Sequence, residues 1–148
     1  MQNSGQRQDI HTLLSLYSES HRNSTNELIH IVCVPLIVFS LLGIIWAVHP
    51  VAALVVVAAA LYYYFQLSKP FAVGMLAMST VMLVPLALLP PATVLALSLA
   101  IFVLAWVGQF VGHQIEGKKP SFLDDLRFLL IGPLFVLSFL YRRLNVAY

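Results

Sequence analysis

Two short segments carry most of the side chains that could do chemistry in this 148-residue chain. The first runs from His21 to His30, and the second runs from Gln109 to Gly117. Imidazoles together with a carboxylate are suitable ligands for zinc, iron, manganese or nickel, and three protein ligands leave coordination positions for substrate and oxygen. Asn and Gln side chains are suited to orienting the N–H groups of such imidazoles. A metal site would require these two segments to meet.

The spacing within the first segment predicts a break in the helix. Ser24-x-x-Glu27 matches a capping box, so we predict that a helix begins at Ser24. His21 and His30 would lie on opposite faces of one continuous helix, about 180° apart. A break at Ser24 allows His21 to fold back toward His30. Asn26 lies four residues before His30 and shares its face.

The second segment predicts one polar face on an otherwise apolar helix. Gln109, His113 and Glu116 follow the spacing i, i+4, i+7. Gly108 and Gly112 are four residues apart in the same stretch, a spacing that lets another helix approach closely.

Charge is scarce and unevenly placed along the chain. The sequence is 60% hydrophobic and 9% charged, whereas a soluble domain is roughly one quarter charged. Between Leu28 and Ile115 the only charged residue is Lys69. This pattern argues against a soluble globular protein, a disordered chain and a nucleic-acid-binding protein, since no basic stripe could neutralise a phosphate backbone. We predict an all-α, polytopic membrane protein.

Four charge-free stretches approach the ~20 residues that a transmembrane helix needs. Short, turn-prone separators rich in proline leave neighbouring helices antiparallel. We treat residues 1–148 as one integral membrane domain, with a cap segment at 1–30, the spans within 31–112 and a tail at 113–148. The predicted spans are Ile31–Val48, Val51–Leu67, Phe71–Leu89 and Ala92–Gly112.

Two further helical segments flank the predicted spans. Residues 9–20 have apolar side chains at helical spacing and predict an amphipathic helix lying on the membrane. Phe128–Tyr141 is apolar but would be only ~21 Å long as a helix, short of the ~30 Å hydrocarbon core. We expect this C-terminal segment to be half-buried or re-entrant.

The distribution of Lys and Arg predicts the orientation. With four spans, both chain ends and the Lys69 turn share one side, and all eight Lys and Arg residues fall there. The positive-inside rule places this side, with both termini, in the cytoplasm. We therefore expect a multi-pass protein of the bacterial inner membrane, or of the endoplasmic reticulum in a eukaryote.

The same topology sorts the histidines. His30 begins the first span and His113 ends the fourth, at one depth on the cytoplasmic side, with His21 just outside. His49 lies in a turn at the opposite face, and His11 lies on the polar side of the surface helix, so both should be bystanders. The residues that can converge are His21, His30, His113, Glu116, Asn23, Asn26 and Gln109.

Three interpretations of this set differ in class. The histidines could bind a metal ion for catalysis. His30 and His113 could instead ligate a haem in an electron carrier. The chain could also be a non-catalytic membrane scaffold whose histidines only form hydrogen bonds.

Two motifs in these segments resemble the Mpo-like family of membrane proteins. The first is His21-Arg22-Asn23-x-x-Asn26-x-x-Ile29-His30, followed by Val34-Pro35. The second is Gln109-Phe110-Val111-Gly112-His113, followed by Glu116, Pro120, Asp124 and Leu126. With hydropathy and length, the resemblance covers the chain from about Leu14 to Tyr141.

The resemblance implies an activity. Characterised members are iron(II)-dependent dioxygenases that use O₂ to shorten 2-hydroxy fatty acids by one carbon. It implies that His21, His30 and His113 bind Fe(II), with Glu116 as a fourth ligand or a catalytic base. Asn23, Asn26 and Gln109 would support the ligands. The residues that could hold the substrate carboxylate at the interface, beside membrane lipid, are Arg22, Lys118 and Lys119.

Overall fold

The computed structural model describes residues 9–148, which contain helices and no strand. This confirms the all-α prediction. The helices are α1 (Ile10–Ser18), α2 (Ser24–Val48), α3 (Pro50–Leu67), α4 (Lys69–Leu88), α5 (Pro91–Glu116) and α6 (Phe128–Arg143), with a 3-10 turn at Ser121–Leu123.

Four of these helices, α2 to α5, are long and apolar enough to cross a membrane, which indicates a multi-pass membrane protein. α2 and α5 extend beyond the predicted spans, to 25 and 26 residues. Each is therefore about 37–39 Å long, more than the ~30 Å hydrocarbon core. The extra turns carry His30 and His113 on regular helix at adjoining ends.

Short turns join the consecutive spans, and α3 packs against both α2 and α4. Pro50 and Pro91 occupy the first position of their helices, where the missing N–H costs no hydrogen bond. The His49 ring accepts a hydrogen bond from Val51 N at 3.2 Å and caps α3. The Ser68 hydroxyl accepts one from Phe71 N at the start of α4.

α2 packs chiefly against α5, and small residues allow the close approach. A Cβ atom added to Gly112 would collide with the Asn26 side chain, and one added to Gly108 would lie 2.7 Å from Cys33 Sγ. The Gly108/Gly112 spacing thus allows another helix to approach closely, as the sequence predicts. Such close packing matters because apolar helices associate in membranes through packing.

α1 follows the predicted periodicity but has a different partner. Its buried side chains Ile10, Leu13 and Tyr17 pack in one core with α6 residues, including Ile131 and Leu134. The expectation that this face lies on the membrane is therefore corrected. Helical periodicity identifies an apolar face, but it does not specify whether protein or lipid covers that face.

α6 is a single helix that passes through Pro133, and it does not qualify as a fifth candidate span. Its 16 residues correspond to about 24 Å. Ile131 and Leu134 are fully buried, whereas Leu129 and Leu140 are each 49% exposed. The half-buried alternative describes α6, and its continuous helix shows no re-entrant reversal.

We predict that Gly112→Ala lowers the free energy of unfolding by about 1–3 kcal/mol, because the added methyl group must displace the Asn26 side chain. Thermal unfolding of the purified protein in detergent measures the effect. Ala100→Val, at an exposed position of the same helix, is the control and should unfold with the unsubstituted protein. Equal unfolding temperatures for both variants would contradict this account of the α2–α5 interface.

Candidate metal centre

Three histidines from separate elements form one buried cluster. His21 lies in the loop after α1, His30 in the second turn of α2 and His113 in the last turn of α5. Their exposed fractions are 2%, 2% and 5%. The ring centroids lie 4.1 to 5.0 Å apart, and one ligand atom from each ring lies within 4.8 Å of the other two. These three residues could hold a metal ion.

A backbone carbonyl fixes each ring. His21 Nδ1 donates to Tyr17 O at 2.7 Å and His30 Nδ1 donates to Asn26 O at 2.9 Å. His113 Nδ1 donates to Lys118 O at 3.1 Å. A carbonyl oxygen can only accept, so the proton of each neutral ring is on Nδ1 and the lone pair is on Nε2.

The Nε2 atoms lack the hydrogen-bond donors that a buried lone pair needs. His21 Nε2 is buried without a partner among residues 9–148. His30 Nε2 and His113 Nε2 lie 3.1 Å apart, and two neutral acceptors cannot bond to each other. A buried acceptor without a donor costs about 1–3 kcal/mol. A cation bound between the rings would satisfy all three lone pairs, so the donor set fits a metal ion.

His21 is neutral at pH 7, as a metal ligand must be. Burial lowers the pKa of His21 to about 4, although its bond to the Tyr17 carbonyl acts in the opposite direction. The Tyr17 ring stacks on His21 with centroids 4.3 Å apart and planes 9° apart, and the Phe135 ring lies 5.4 Å away. These aromatic rings keep water from that side of the imidazole.

A left-handed glycine positions the acceptor for His113. Gly117 ends α5 with φ +74°, a conformation that glycine adopts without the steric cost of a Cβ atom. The chain then turns back, so that Lys118 O reaches His113 Nδ1.

Glu116 ties the end of α5 to the loop that carries His21. Its Oε1 accepts from Arg22 N at 3.0 Å, and its Oε2 accepts from Asn23 N at 2.8 Å and Asn26 Nδ2 at 3.1 Å. Both carboxylate oxygens are thus engaged by the loop and the first turn of α2. A role for Glu116 as ligand or base stays a prediction, whereas its present contacts are those of a positioning residue.

The cap of α2 differs from the prediction by one residue. The helix begins at Ser24 as expected, but Asn23 is the N-cap, and its Oδ1 accepts from Thr25 N at 2.9 Å and Asn26 N at 3.3 Å. The assignment of Ser24 as cap is therefore wrong. Asn and Ser are equally good caps, so local preference could not choose between adjacent candidates.

In residues 9–148 the side chains of Asn23, Asn26 and Gln109 make no hydrogen bond to a ring nitrogen, so their role in supporting the ligands stays a prediction. Asn26 Nδ2 donates to Ser20 O at 3.1 Å as well as to Glu116, and so anchors the loop before α2. Gln109 is 5% exposed, and its Oε1 has no partner in the described chain. The ring N–H groups use backbone carbonyls instead, including that of Asn26.

The predicted basic residues surround the site at the surface. Arg22, Lys118 and Lys119 are all exposed. Lys118 Nζ donates to Glu19 O at 3.0 Å, and Lys119 pairs with Asp124 at 2.6 Å. An exposed pair of this kind contributes about 0–1 kcal/mol, so a negatively charged ligand could displace it at little cost.

The remaining two histidines lie away from the cluster, as topology predicts. His49 caps α3 at the opposite end of α2. His11 is exposed and stacks on Tyr148 with centroids 5.6 Å apart.

A small cavity of about 50 Å³ adjoins His30 and His113. Its lining includes Trp106 and Gln109 on α5 and the apolar side chains Val34 and Phe122. The residues that the sequence predicts for the site do not include Trp106. Its position three residues before Gln109, which continues the polar face of α5, was the available signal.

We predict that Glu116→Gln weakens metal binding about tenfold, because residues that position metal ligands typically contribute 10- to 100-fold to affinity. The amide loses the charge that holds Arg22 N and Asn23 N. Titration with Co²⁺, followed by its visible absorption, measures the affinity. Glu27→Gln on α2 is the matched control and should leave the affinity unchanged. Equal affinity in Glu116→Gln and the unsubstituted protein would contradict the positioning role.

Comparisons with known proteins identify the family of the chain. The family model described as 2-hydroxy-palmitic acid dioxygenase Mpo1-like matches residues 7–144. The chain is 31% identical over 142 residues to the 2-hydroxy-palmitic acid dioxygenase MPO1 of Saccharomyces cerevisiae. That alignment covers 90% of this chain and 81% of the relative. No solved structure matches the chain. By the family model and this relative, the chain belongs to the Mpo1-like family.

Proposed function

We propose that this protein is an iron(II)-dependent dioxygenase that uses O₂ to shorten 2-hydroxy fatty acids by one carbon. The observation that supports this proposal most directly is the buried cluster of three imidazoles, whose Nδ1 atoms bond to backbone carbonyls and whose Nε2 atoms have no donor among residues 9–148. The substrate class is supported by the relative named as a 2-hydroxy-palmitic acid dioxygenase.

His21, His30 and His113 would hold the ion. Fe(II) at this position would supply the redox chemistry by which O₂ reacts, and three protein ligands would leave positions for substrate and O₂. The backbone carbonyls hold the rings in one tautomer and orientation. Glu116 keeps the loop of His21 against α5.

The substrate would bind with its carboxylate near water and its acyl tail in the membrane. Exposed Arg22, Lys118 and Lys119 would attract its carboxylate at the membrane surface. The cavity beside His30 and His113 has room for a headgroup but not for a long acyl chain. The acyl tail would therefore extend past the apolar wall, between helices and among membrane lipids.

The charge distribution supports a cytoplasmic location for the site. All eight Lys and Arg residues fall on the side of the membrane that the four-span topology assigns to both termini. We propose that both termini and the histidine cluster face the cytoplasm, in the bacterial inner membrane or in the endoplasmic reticulum of a eukaryote.

The geometry does not favour the haem alternative. A haem bound between His30 and His113 would need space between the two rings. His30 Nε2 and His113 Nε2 are 3.1 Å apart and in mutual contact. A colourless, iron-containing preparation would separate the two functions, because a haem protein has a Soret band.

We predict that His21→Ala, His30→Ala and His113→Ala each lower the iron content and reduce oxygen uptake with 2-hydroxypalmitate by at least 100-fold. Loss of one of three ligands should abolish binding at a small site. Metal analysis of the anaerobically purified protein and an oxygen electrode give the two measurements. His49→Ala, which removes only the cap of α3, is the matched control and should retain both properties. An essential His49 with a dispensable His21 would contradict both the site and its topology.

Treatment with a chelator should abolish oxygen uptake, and Fe(II) should restore it. Zn²⁺ should occupy the imidazoles without restoring activity, because it has no redox chemistry. Full activity in chelated protein, or equal restoration by Zn²⁺, would exclude an iron-dependent reaction.

A further inference from the structure

One face of α5 continues past the histidine cluster into the adjoining cavity. Trp106, Gln109 and His113 are spaced three and four residues apart, so they share a face, and all three line the cavity. The site as described so far uses only His113 for metal binding. Trp106 and Gln109 each carry a polar atom that has no hydrogen-bond partner in the described chain.

Those polar atoms are buried and unpartnered. Trp106 Nε1 and Gln109 Oε1 have no hydrogen-bond partner among residues 9–148. An indole N–H can only donate and an amide oxygen can only accept, so the pair offers one donor and one acceptor. Burying both atoms without a partner is unfavourable, which is a reason to expect a ligand.

Packing holds the indole in place. Its ring lies 5.6 Å from the Phe110 ring and 5.2 Å from the Phe122 ring, measured between centroids. Trp106 is thus fixed from its own helix and from the 3-10 turn. A donor held in this way loses little conformational freedom when it binds a ligand.

The cavity has the size of a small polar headgroup. Its volume of about 50 Å³ is several times the roughly 10–15 Å³ that one water molecule requires. A 2-hydroxy acid has a carboxylate, which can only accept hydrogen bonds, next to a hydroxyl, which can also donate one. These are the complements of an indole N–H and an amide oxygen.

We propose that Trp106 and Gln109 recognise the headgroup of the substrate: Trp106 Nε1–H donates to the carboxylate, and Gln109 Oε1 accepts from the 2-hydroxyl. The inference rests on the proposed function for its choice of ligand. In this proposal Gln109 is the residue that selects against fatty acids without a 2-hydroxyl group. Such a fatty acid would leave Gln109 Oε1 buried without a donor.

The test measures binding of 2-hydroxypalmitate and palmitate by calorimetry to the purified full chain, under anaerobic conditions so that no turnover occurs. We expect the unsubstituted protein to bind the 2-hydroxy acid at least tenfold more tightly. Trp106→Phe, which keeps an aromatic ring but no donor, should weaken both acids about tenfold. Gln109→Leu should weaken only 2-hydroxypalmitate and bring the affinity ratio close to one.

Trp46→Phe is the matched control, because Trp46 packs in the separate apolar cluster of Leu42 and Met82. This variant should keep the unsubstituted affinities. It also leaves Trp106 as the only tryptophan, so its emission should change when 2-hydroxypalmitate binds. This second measurement decides the proposal even if the Trp106 and Gln109 variants do not fold.

Unchanged affinities in both variants, no preference for the 2-hydroxy acid, or constant Trp106 emission would each overturn the proposal. Oxygen uptake is measured separately. A protein that consumes no oxygen with any 2-hydroxy acid contradicts the dioxygenase proposal, whereas the binding and emission measurements decide the roles of Trp106 and Gln109.

Discussion

The close packing of α2 against α5 is the constraint on which the rest of the structure depends. Without side chains at Gly108 and Gly112, the two helix backbones approach closely enough for His30 and His113 to touch, although 83 residues separate them. The same approach lets Asn26 reach Glu116. Association of apolar helices in a membrane rests on packing, because lipid is as apolar as the helices themselves. The polar cluster is therefore held together by an interface of small residues.

In the histidine cluster the Nδ1 atoms have hydrogen-bond partners, whereas the Nε2 atoms lack donors in the described chain. Each Nδ1–H has a carbonyl acceptor, supplied by chain at or near a helix terminus. Two of these carbonyls, those of Tyr17 and Lys118, lie in the last turn of α1 and after the end of α5, where main-chain carbonyls lack an intrahelical partner. Within the described part of the chain, by contrast, His30 Nε2 and His113 Nε2 contact each other, and His21 Nε2 has no hydrogen-bond partner. In a chain that is 60% hydrophobic, this concentration of unmatched acceptors is better explained by a bound cation than by stability alone.

Much of this arrangement followed from local and additive properties of the sequence. Hydropathy identified the four long helices, because the transfer free energy of a span is a sum over its own residues. Short turns made the neighbouring spans antiparallel, and an even number of spans then placed both charged ends on one side. The number of spans therefore predicts that His21, His30 and His113 lie on one side and His49 on the other, and the structure has this arrangement.

The features that the sequence left undecided or assigned incorrectly depend on distances between distant residues. Helical periodicity defined the apolar face of α1, but only the packed structure shows that α6 covers it. The choice of Asn23 over Ser24 as cap, the three partners of Glu116 and the carbonyls that orient the rings are likewise tertiary. The sequence assigned no role in the site to Trp106, and only the packed structure shows the cavity that α6 and the 3-10 turn form beside it. The sequence by itself determined which segments cross the membrane and which polar residues share a side, because these depend on composition and order. Only the tertiary structure decided which atom faces which, because hydrogen bonds are made over about 3 Å between residues as many as 101 positions apart.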